Sequence, residues 1–348
     1  MSVENTIWLT LDSRTTGGIE THVLELAKGL IQHGLDVNVV FLRNYGHHPL
    51  RDALIDAEIK TISLDGSLWS LVKKVKRLRP KIIHSHGYKA GLMCCLAAGL
   101  TSSNHTTTYH AGEMGKGKMA LYDWLYRQTS RFNNRSFAVS DEIAMRLPVQ
   151  PIVLDNFIAT PDIFPKTDSQ IAFVGRLSEE KGPDHILSIA SNLKSIQFHI
   201  YGDGPLADCL KQQAGDNCHF HGNQASMESH WHKIDLLLMP SRYEGLPMVA
   251  LEAMSRRIPV IAFKVGAMEK VVLTDQNGWL VKTNDVDTFQ QKIEDWLRMD
   301  TCCKDSIREA AIKHINTYFN TQNIIPLIVQ QYAEGSGESI SCCNAICK

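Results

Sequence analysis

Several short segments of this 348-residue sequence carry charge or glycine where a phosphate ester could be held. Gly175-Arg176-Leu177 is followed by Lys181-Gly182. Arginine offers a planar fork of donors and lysine a compact point charge, so together they suit a diphosphate. The competing reading is two solvated surface cations. A longer segment, PSRYEGLPMVALEAMSRRIPVIA (240–262), places Pro247 where a helix would begin. Gly245, Leu246 and that helix start would aim backbone N–H groups at an anion. Glu244 precedes the helix and Glu252 lies eight residues on; each carboxylate matches a pair of sugar or ribose hydroxyls. Val249, Leu251, Ala253 and Met254 surround Glu252, and burying an unpaired carboxylate among them would be costly, which favours a ligand over a solvated helix face. Gly202-Asp203-Gly204-Pro205 is either an ordinary turn or a ligand loop. Gly17-Gly18 is either a tight turn or an anion site at a helix start. It lacks the G-x-G-x-x-G spacing of a dinucleotide fingerprint. His110, alone at a strand end, reads by itself as an ordinary structural histidine.

The elements that must position these residues alternate in type. IWLTL (7–11), VNVVFL (37–42), IKTISL (59–64), KIIHSH (81–86), HTTTYH (105–110), SFAVS (136–140) and PIVLDN (151–156) read as strands. A second run comprises QIAFVG (170–175), FHIYG (198–202), DLLLMP (235–240), VIAF (260–263) and GWLV (278–281). Helical stretches separate most of them, as HILSIASNL (185–193) and LADCLKQQ (206–213) do in the second run. Such alternation argues an α/β chain with two doubly wound parallel sheets. PDIFPKTDSQ (161–170) reads as the linker. Open sheets of this kind bind ligands beyond the carboxyl ends of their strands, where the charged segments fall, and with two sheets the expected site is the cleft between them.

Composition bounds the remaining classes. Hydrophobic residues make up 44% and charged residues 21%, the balance of a folded globular chain. No apolar run reaches the roughly 18–20 residues of a membrane-spanning helix, and no secretory leader is visible, so a cytoplasmic setting is expected. The net charge of −1 gives no reason to expect a nucleic-acid partner. The nine cysteines include no C-x-x-C and no zinc spacing, which reads as reduced thiols. Charge is unevenly placed: residues 66–135 hold twelve Lys and Arg against only Glu113 and Asp123. SLVKKVKRLRPK (70–81) reads as a basic helix with Leu71, Val72, Val75 and Leu78 on one side. KGKMALYDWLYRQTSR (116–131) adds Tyr122, Trp124 and Tyr126, aromatics of the membrane-interface kind. Either these sides pack on the sheet or this region touches an anionic membrane.

Taken in order, the Gly-Gly loop, G-R-L-x3-K-G, G-D-G-P and E-G-L-P with its E-x7-E spacing resemble the retaining GT-B glycosyltransferases of family 4, the group 1 type. The resemblance runs over about residues 5–330. It implies a GT-B architecture of two Rossmann-like domains and transfer of a hexosyl residue from a UDP- or GDP-linked sugar. It further implies that no metal or other cofactor is needed, because cationic side chains and helix starts take the metal's place. By position, Arg176 and Lys181 match the pair that neutralises the diphosphate, Glu244 the carboxylate near the donor sugar, and Glu252 the one that holds the ribose. His110 matches the histidine near the reacting sugar, and Gly17 and Gly18 the loop facing the diphosphate. His84 and His86 fall in a stretch the family often fills with histidines. The expected organisation is an acceptor-binding domain over residues 1–160, a donor-binding domain over 161–315, a helix over 316–334 returning to the first, and a disordered tail over 335–348.

Two stretches depart from the family pattern. Arg256-Arg257-Ile258 stands where a glycine often precedes the next strand, and Lys270 stands where a glutamate is expected. No carboxylate stands out as a double-displacement nucleophile, so front-face attack fits better than two flanking carboxylates. The expected acceptor is a glycan or lipid-linked glycan of surface polysaccharide or lipopolysaccharide assembly, reached at the inner membrane face. The alternatives are a sugar-nucleotide 2-epimerase, a non-catalytic partner protein of the same fold, and a two-domain solute-binding protein.

Overall fold

The computed structural model describes residues 6–14, 17–110, 118–161 and 169–336. They form two compact units, residues 1–157 with the chain from Thr321 onward, and Ile158–Asn320.

The first unit runs β1 (Ile7–Leu11), α1 (Gly18–Gln32), β2 (Val37–Phe41), α2 (Pro49–Asp56), β3 (Lys60–Ser63), α3 (Leu68–Leu78), β4 (Ile82–His86), α4 (Tyr88–Thr101), β5 (Asn104–Tyr109), α5 (Lys118–Gln128), β6 (Arg135–Ala138), α6 (Asp141–Ala144) and β7 (Ile152–Val153). The second runs β8 (Gln170–Val174), α7 (Pro183–Asn192), β9 (Phe198–Tyr201), α8 (Ala207–Gln213), β10 (Cys218–Gly222), β11 (Ile234–Met239), α9 (Met248–Met254), β12 (Val260–Phe263), α10 (Met268–Val271), β13 (Gly278–Val281), α11 (Val286–Arg298) and α12 (Thr301–Tyr318). The chain then re-enters the first unit as α13 (Thr321–Ser336).

All strand pairs are parallel, in the orders β3-β2-β1-β4-β5-β6-β7 and β10-β9-β8-β11-β12-β13. The central strands β1, β4 and β11 are buried along their whole length; β1 and β11 accordingly read as mainly apolar runs, while β4 buries His84 and His86 as well. In each sheet the strand order reverses once, between β1 and β4 and between β8 and β11. Loops leaving the carboxyl ends of the strands that flank such a reversal diverge to opposite faces and leave a crevice. Gly17-Gly18 and His86 follow or end the first such pair, while Arg176 and Glu244 follow the second.

The core of the first unit joins Val23, Leu26 and Leu30 of α1 to Ile325 and Ile328 of α13. A Cβ at Gly29 would stand 2.5 Å from Ile325, so only glycine lets the two helices approach so closely. In the second unit Ala250, Leu251 and Met254 of α9 pack with Leu237 and Met239 of β11, fixing the helix that carries Glu252.

Several expectations shift. β10 does not appear among the sequence-predicted strands. Its sequence, CHFHG, turns only Cys218 and Phe220 toward the core, between exposed His219 and His221, and holds no β-branched residue. PIVLDN narrows to the two residues of β7. The helix that returns to the first unit begins at Thr321, after a break that follows Tyr318, rather than at residue 316. Most of the expected linker, and the tail beyond Ser336, lie outside the described residues. The apolar side of α3 faces inward: Leu71, Val72 and Val75 sit in the core with Trp8 and Ile83. Among the described residues no helix is long and apolar enough to cross a membrane.

Candidate active site

In the second unit, four loops at the carboxyl ends of β8, β9, β11 and β12 are tied together. Gly182 has φ +62°, and a Cβ there would lie 2.1 Å from the Pro240 carbonyl oxygen. The missing side chain lets the loop after β8 press against the one after β11. Arg242 fastens the same contact. Its guanidinium donates to both carboxylate oxygens of Asp184 at 2.9 and 2.6 Å and to the Glu179 carbonyl at 2.8 Å, while its own N–H reaches the Glu180 carbonyl at 2.8 Å. This fork holds the Asp184 carboxyl below its ordinary range.

The result is a short ion pair. Lys181 Nζ donates to both oxygens of Glu244, at 2.9 and 2.8 Å, and Ser241 Oγ donates to Glu244 Oε1 at 2.7 Å. The glutamate side chain is 5% exposed and the lysine 30%. Arg176, six residues after the strand begins, is exposed and forms no ion pair among the described residues. Against the effect of burial, the hydrogen bonds of Ser178 and of the Glu180 backbone hold Glu180 below its ordinary value, and the charges of Arg176 and Lys181 add to them. One cation is therefore exposed and outside any ion pair among the described residues, and a second is paired with a buried carboxylate.

Other predicted positions take different parts. The Gly202 N–H donates to the Gly222 carbonyl at 2.8 Å and the Gly204 N–H to Asp203 Oδ1 at 2.7 Å, so both amides are used within the protein. A Cβ at Gly202 would lie 1.9 Å from the Gly175 carbonyl oxygen, and one at Gly204 would lie 2.5 Å from that of Leu177. These glycines let two loops pack; their amides are not aimed at a ligand. Pro247 is the residue before α9 rather than its first, and it offers no N–H. Gly245 accepts at its carbonyl from Ala267 N–H, 3.0 Å away, and Leu246 is buried in the core. Glu252 is half-buried on α9.

The first unit gathers histidines. His84 and His86, two apart on β4, share one face. His84 is fully used: Nδ1 lies 2.6 Å from Tyr332 Oη and Nε2 lies 2.7 Å from Thr108 Oγ1, which makes it structural. His86 Nδ1 lies 3.1 Å from Nε2 of His110. His22 of α1 adds its ring 4.6 Å from that of His110, and its Nδ1 is bonded to Asn156 Oδ1 at 3.0 Å. Burial pushes all four imidazoles below their ordinary range, His22 to about 4, and at His84, His86 and His110 neighbouring histidines add to the shift. They are neutral near pH 7. Gly17 caps α1 and Gly18 opens it; both are exposed, and beside them burial raises the carboxyl of Glu20.

Sequence reading missed His22, Asn156, Ser241, Arg242 and Glu20. His22 is four residues beyond Gly18 in the helix that follows the glycine loop, a signal that was present. Asn156 is 134 residues from its partner, and no local pattern announces such a pair.

Two family descriptions cover most of the chain. "Glycosyl transferases group 1" matches residues 158–314 and "Glycosyltransferase Family 4" matches residues 16–149. Among similar sequences is the UDP-Gal:alpha-D-GlcNAc-diphosphoundecaprenol alpha-1,3-galactosyltransferase of Escherichia coli, 25% identical over 78% of this chain and 82% of that one. Another is the glycogen synthase of Mycobacterium tuberculosis, 24% identical over 91% of each. The structure is similar to that of Alr3699/HepE of Anabaena in complex with UDP-glucose, with a TM-score of 0.82 and 16% identity over 94% of this chain and 99% of that one. The chain belongs to the group 1, family 4 glycosyltransferases of GT-B architecture, enzymes that use a nucleotide-sugar donor.

Proposed function

We propose that this enzyme moves a hexosyl residue from a UDP-sugar to a lipid-linked glycan acceptor, with retention of configuration and without a metal in the reaction. The observation that carries the donor half is the placement of Arg176, Lys181 and Glu244 on the two loops that flank the strand reversal of the second sheet. When the bond between the sugar's anomeric carbon and the diphosphate breaks, its electron pair leaves with the phosphate oxygen. Arg176 and Lys181 oppose that growing charge where it develops. Glu244 stays at the sugar end and keeps Lys181 fixed. The acceptor oxygen bonds to the anomeric carbon on the face the phosphate leaves, and its proton passes to the departing phosphate oxygen. Glu252 takes the ribose hydroxyls. UDP is favoured over GDP by the UDP-dependent relative in Escherichia coli and by the UDP-glucose complex of the Anabaena protein.

The acceptor half rests on the surface of the first unit. α4 packs between α3 and α5, and the three helices expose Trp69, Leu96, Leu100, Leu121, Tyr122 and Trp124. Tyr126 is not among them: its hydroxyl donates to the Thr108 carbonyl at 3.1 Å inside the core. Lys73, Lys76 and Arg77 of α3 stand on the same group of helices. Apolar side chains beside lysines suit an anionic bilayer, at about 1 kcal/mol for each basic residue near the surface. The diphosphoundecaprenol named for the Escherichia coli relative supports an acceptor of that kind.

Thermal unfolding with UDP, GDP and ADP tests the donor, since a ligand of the folded state raises the midpoint by mass action. A rise with GDP and none with UDP overturns the donor assignment. Co-sedimentation with anionic and neutral vesicles tests the surface: binding should need anionic lipid, weaken with salt, and fall in a Trp69→Ala, Trp124→Ala variant. Protein that stays in the supernatant with anionic vesicles at low salt refutes it.

A further inference from the structure

The first unit groups three histidines, of which the family resemblance gives only His110 a place beside the reacting sugar. One ring nitrogen from each of His22, His86 and His110 lies within 4.8 Å of the other two. His86 Nδ1 and His110 Nε2 are hydrogen-bonded to each other at 3.1 Å, close to the roughly 3.4 Å between two nitrogens on one tetrahedral ion with bonds of about 2.1 Å, so an ion would replace the shared proton with little movement. The rings of His22 and His86 are buried, and that of His110 is half-buried. The second nitrogen of His86, Nε2, is buried with no hydrogen-bond partner. Asn156 Oδ1 holds Nδ1 of His22, which leaves that ring's Nε2 as the lone pair. An outer partner that fixes a histidine's tautomer and orientation is the usual support of a metal-binding imidazole.

We infer that His22, His86 and His110 form a transition-metal site of the zinc class, and that an ion bound there blocks sugar transfer by occupying the ring of His110. Three nitrogens with a solvent molecule complete a tetrahedron, and a neutral imidazole needs only to carry its proton on the nitrogen that does not ligate. The inhibitory half rests on the reading that places His110 beside the reacting sugar; the binding half does not. The exposed cluster on β9 and β10 is a weaker site, with the His199 Nδ1 to His221 Nε2 pair at 3.0 Å and no third ligand as close among the described residues.

The test uses the full chain with Co²⁺ and Zn²⁺ as probes. We expect about one Co²⁺ per chain with the visible spectrum of a tetrahedral nitrogen site, displaced by Zn²⁺ and removed by chelator. Asn156→Ala should weaken binding about 10–100-fold, and His22→Ala and His110→Ala by at least as much, while His221→Ala should bind as the wild type does. Circular dichroism of each variant separates loss of the site from loss of the fold. Turnover should fall as Zn²⁺ fills the site and recover with chelator. Binding that survives in His22→Ala and disappears in His221→Ala overturns the site. One bound ion with unchanged turnover overturns the inhibition, and with it the placement of His110, while leaving the metal site intact.

Discussion

The ion pair between Lys181 and Glu244 should reveal itself in a double-mutant cycle. Replacing Lys181 with Met leaves the Glu244 carboxylate, 5% exposed, with Ser241 Oγ as its remaining donor. Breaking a buried pair from one side costs about 3–5 kcal/mol, because the other charge stays behind. Lys181 is 30% exposed, so water reaches the vacated position, and about 2 kcal/mol is the better expectation. For a unit the length of Ile158–Asn320, that is a fall of about 4–8 °C in melting midpoint. Glu244→Gln removes the charge and keeps the shape. The double variant should therefore melt above Lys181→Met alone, with a coupling of about 1–2 kcal/mol. An exposed pair would show about 0–1 kcal/mol and would weaken with salt. If the single effects add to within about 0.5 kcal/mol, the two residues do not act as a unit, and Glu244 does not fix Lys181.

Three further outcomes are expected. Arg176→Ala should lower kcat/KM by about 10²-fold, the scale for losing one preorganised charge-stabilising donor, and a chelator should leave wild-type activity in place; full turnover in the Arg176→Ala, Lys181→Ala enzyme would remove the diphosphate assignment. Glu252→Ala should mainly weaken UDP binding and Glu244→Ala should mainly lower kcat; equal losses in a UDP titration contradict that division. The first unit should be acid-labile. Its buried histidines have folded-state pKa values below the unfolded one, so below about pH 6.5 the unfolded chain binds more protons and stability drops as pH falls. For His22 alone, whose folded value is about 4, the loss reaches about 3 kcal/mol at pH 4. An unfolding midpoint unchanged between pH 7 and pH 5 would show that these rings are not held neutral.

The sequence made the donor loops legible because glycine, charge and strand ends lie close together along the chain. Arg176, Lys181 and Glu244 could be named that way, though only folding shows Glu244 gripping Lys181 across 63 residues. Gly202 and Gly204 misled for the opposite reason. Glycine marks close approach without saying to what, and here the neighbours are the Gly175 and Leu177 carbonyls. The basic helix was read correctly as amphipathic, yet its apolar side belongs to the core, and the exposed aromatics come from Trp69, Tyr122 and Trp124. Arg257, where the family often has glycine, sits at φ +63°, the left-handed region that glycine enters without cost. Its guanidinium pairs with Glu309 at 2.5 Å. β10 stayed hidden because histidine and cysteine carry little strand signal, and the histidine cluster because it joins α1, β4 and the end of β5.

The route of α13 bears on synthesis. The second unit is one unbroken stretch, Ile158–Asn320, whereas the first waits for residues that the ribosome adds more than 160 positions later. Until Thr321 onward emerges, Gly29 lacks Ile325, the α1 face lacks Ile328, and His84 Nδ1 lacks the Tyr332 hydroxyl. Domains generally complete in the order they are made. Here the order inverts: the unit translated first closes last, and its histidine-lined interior stays open to solvent and to nascent-chain partners while the second unit is already folding.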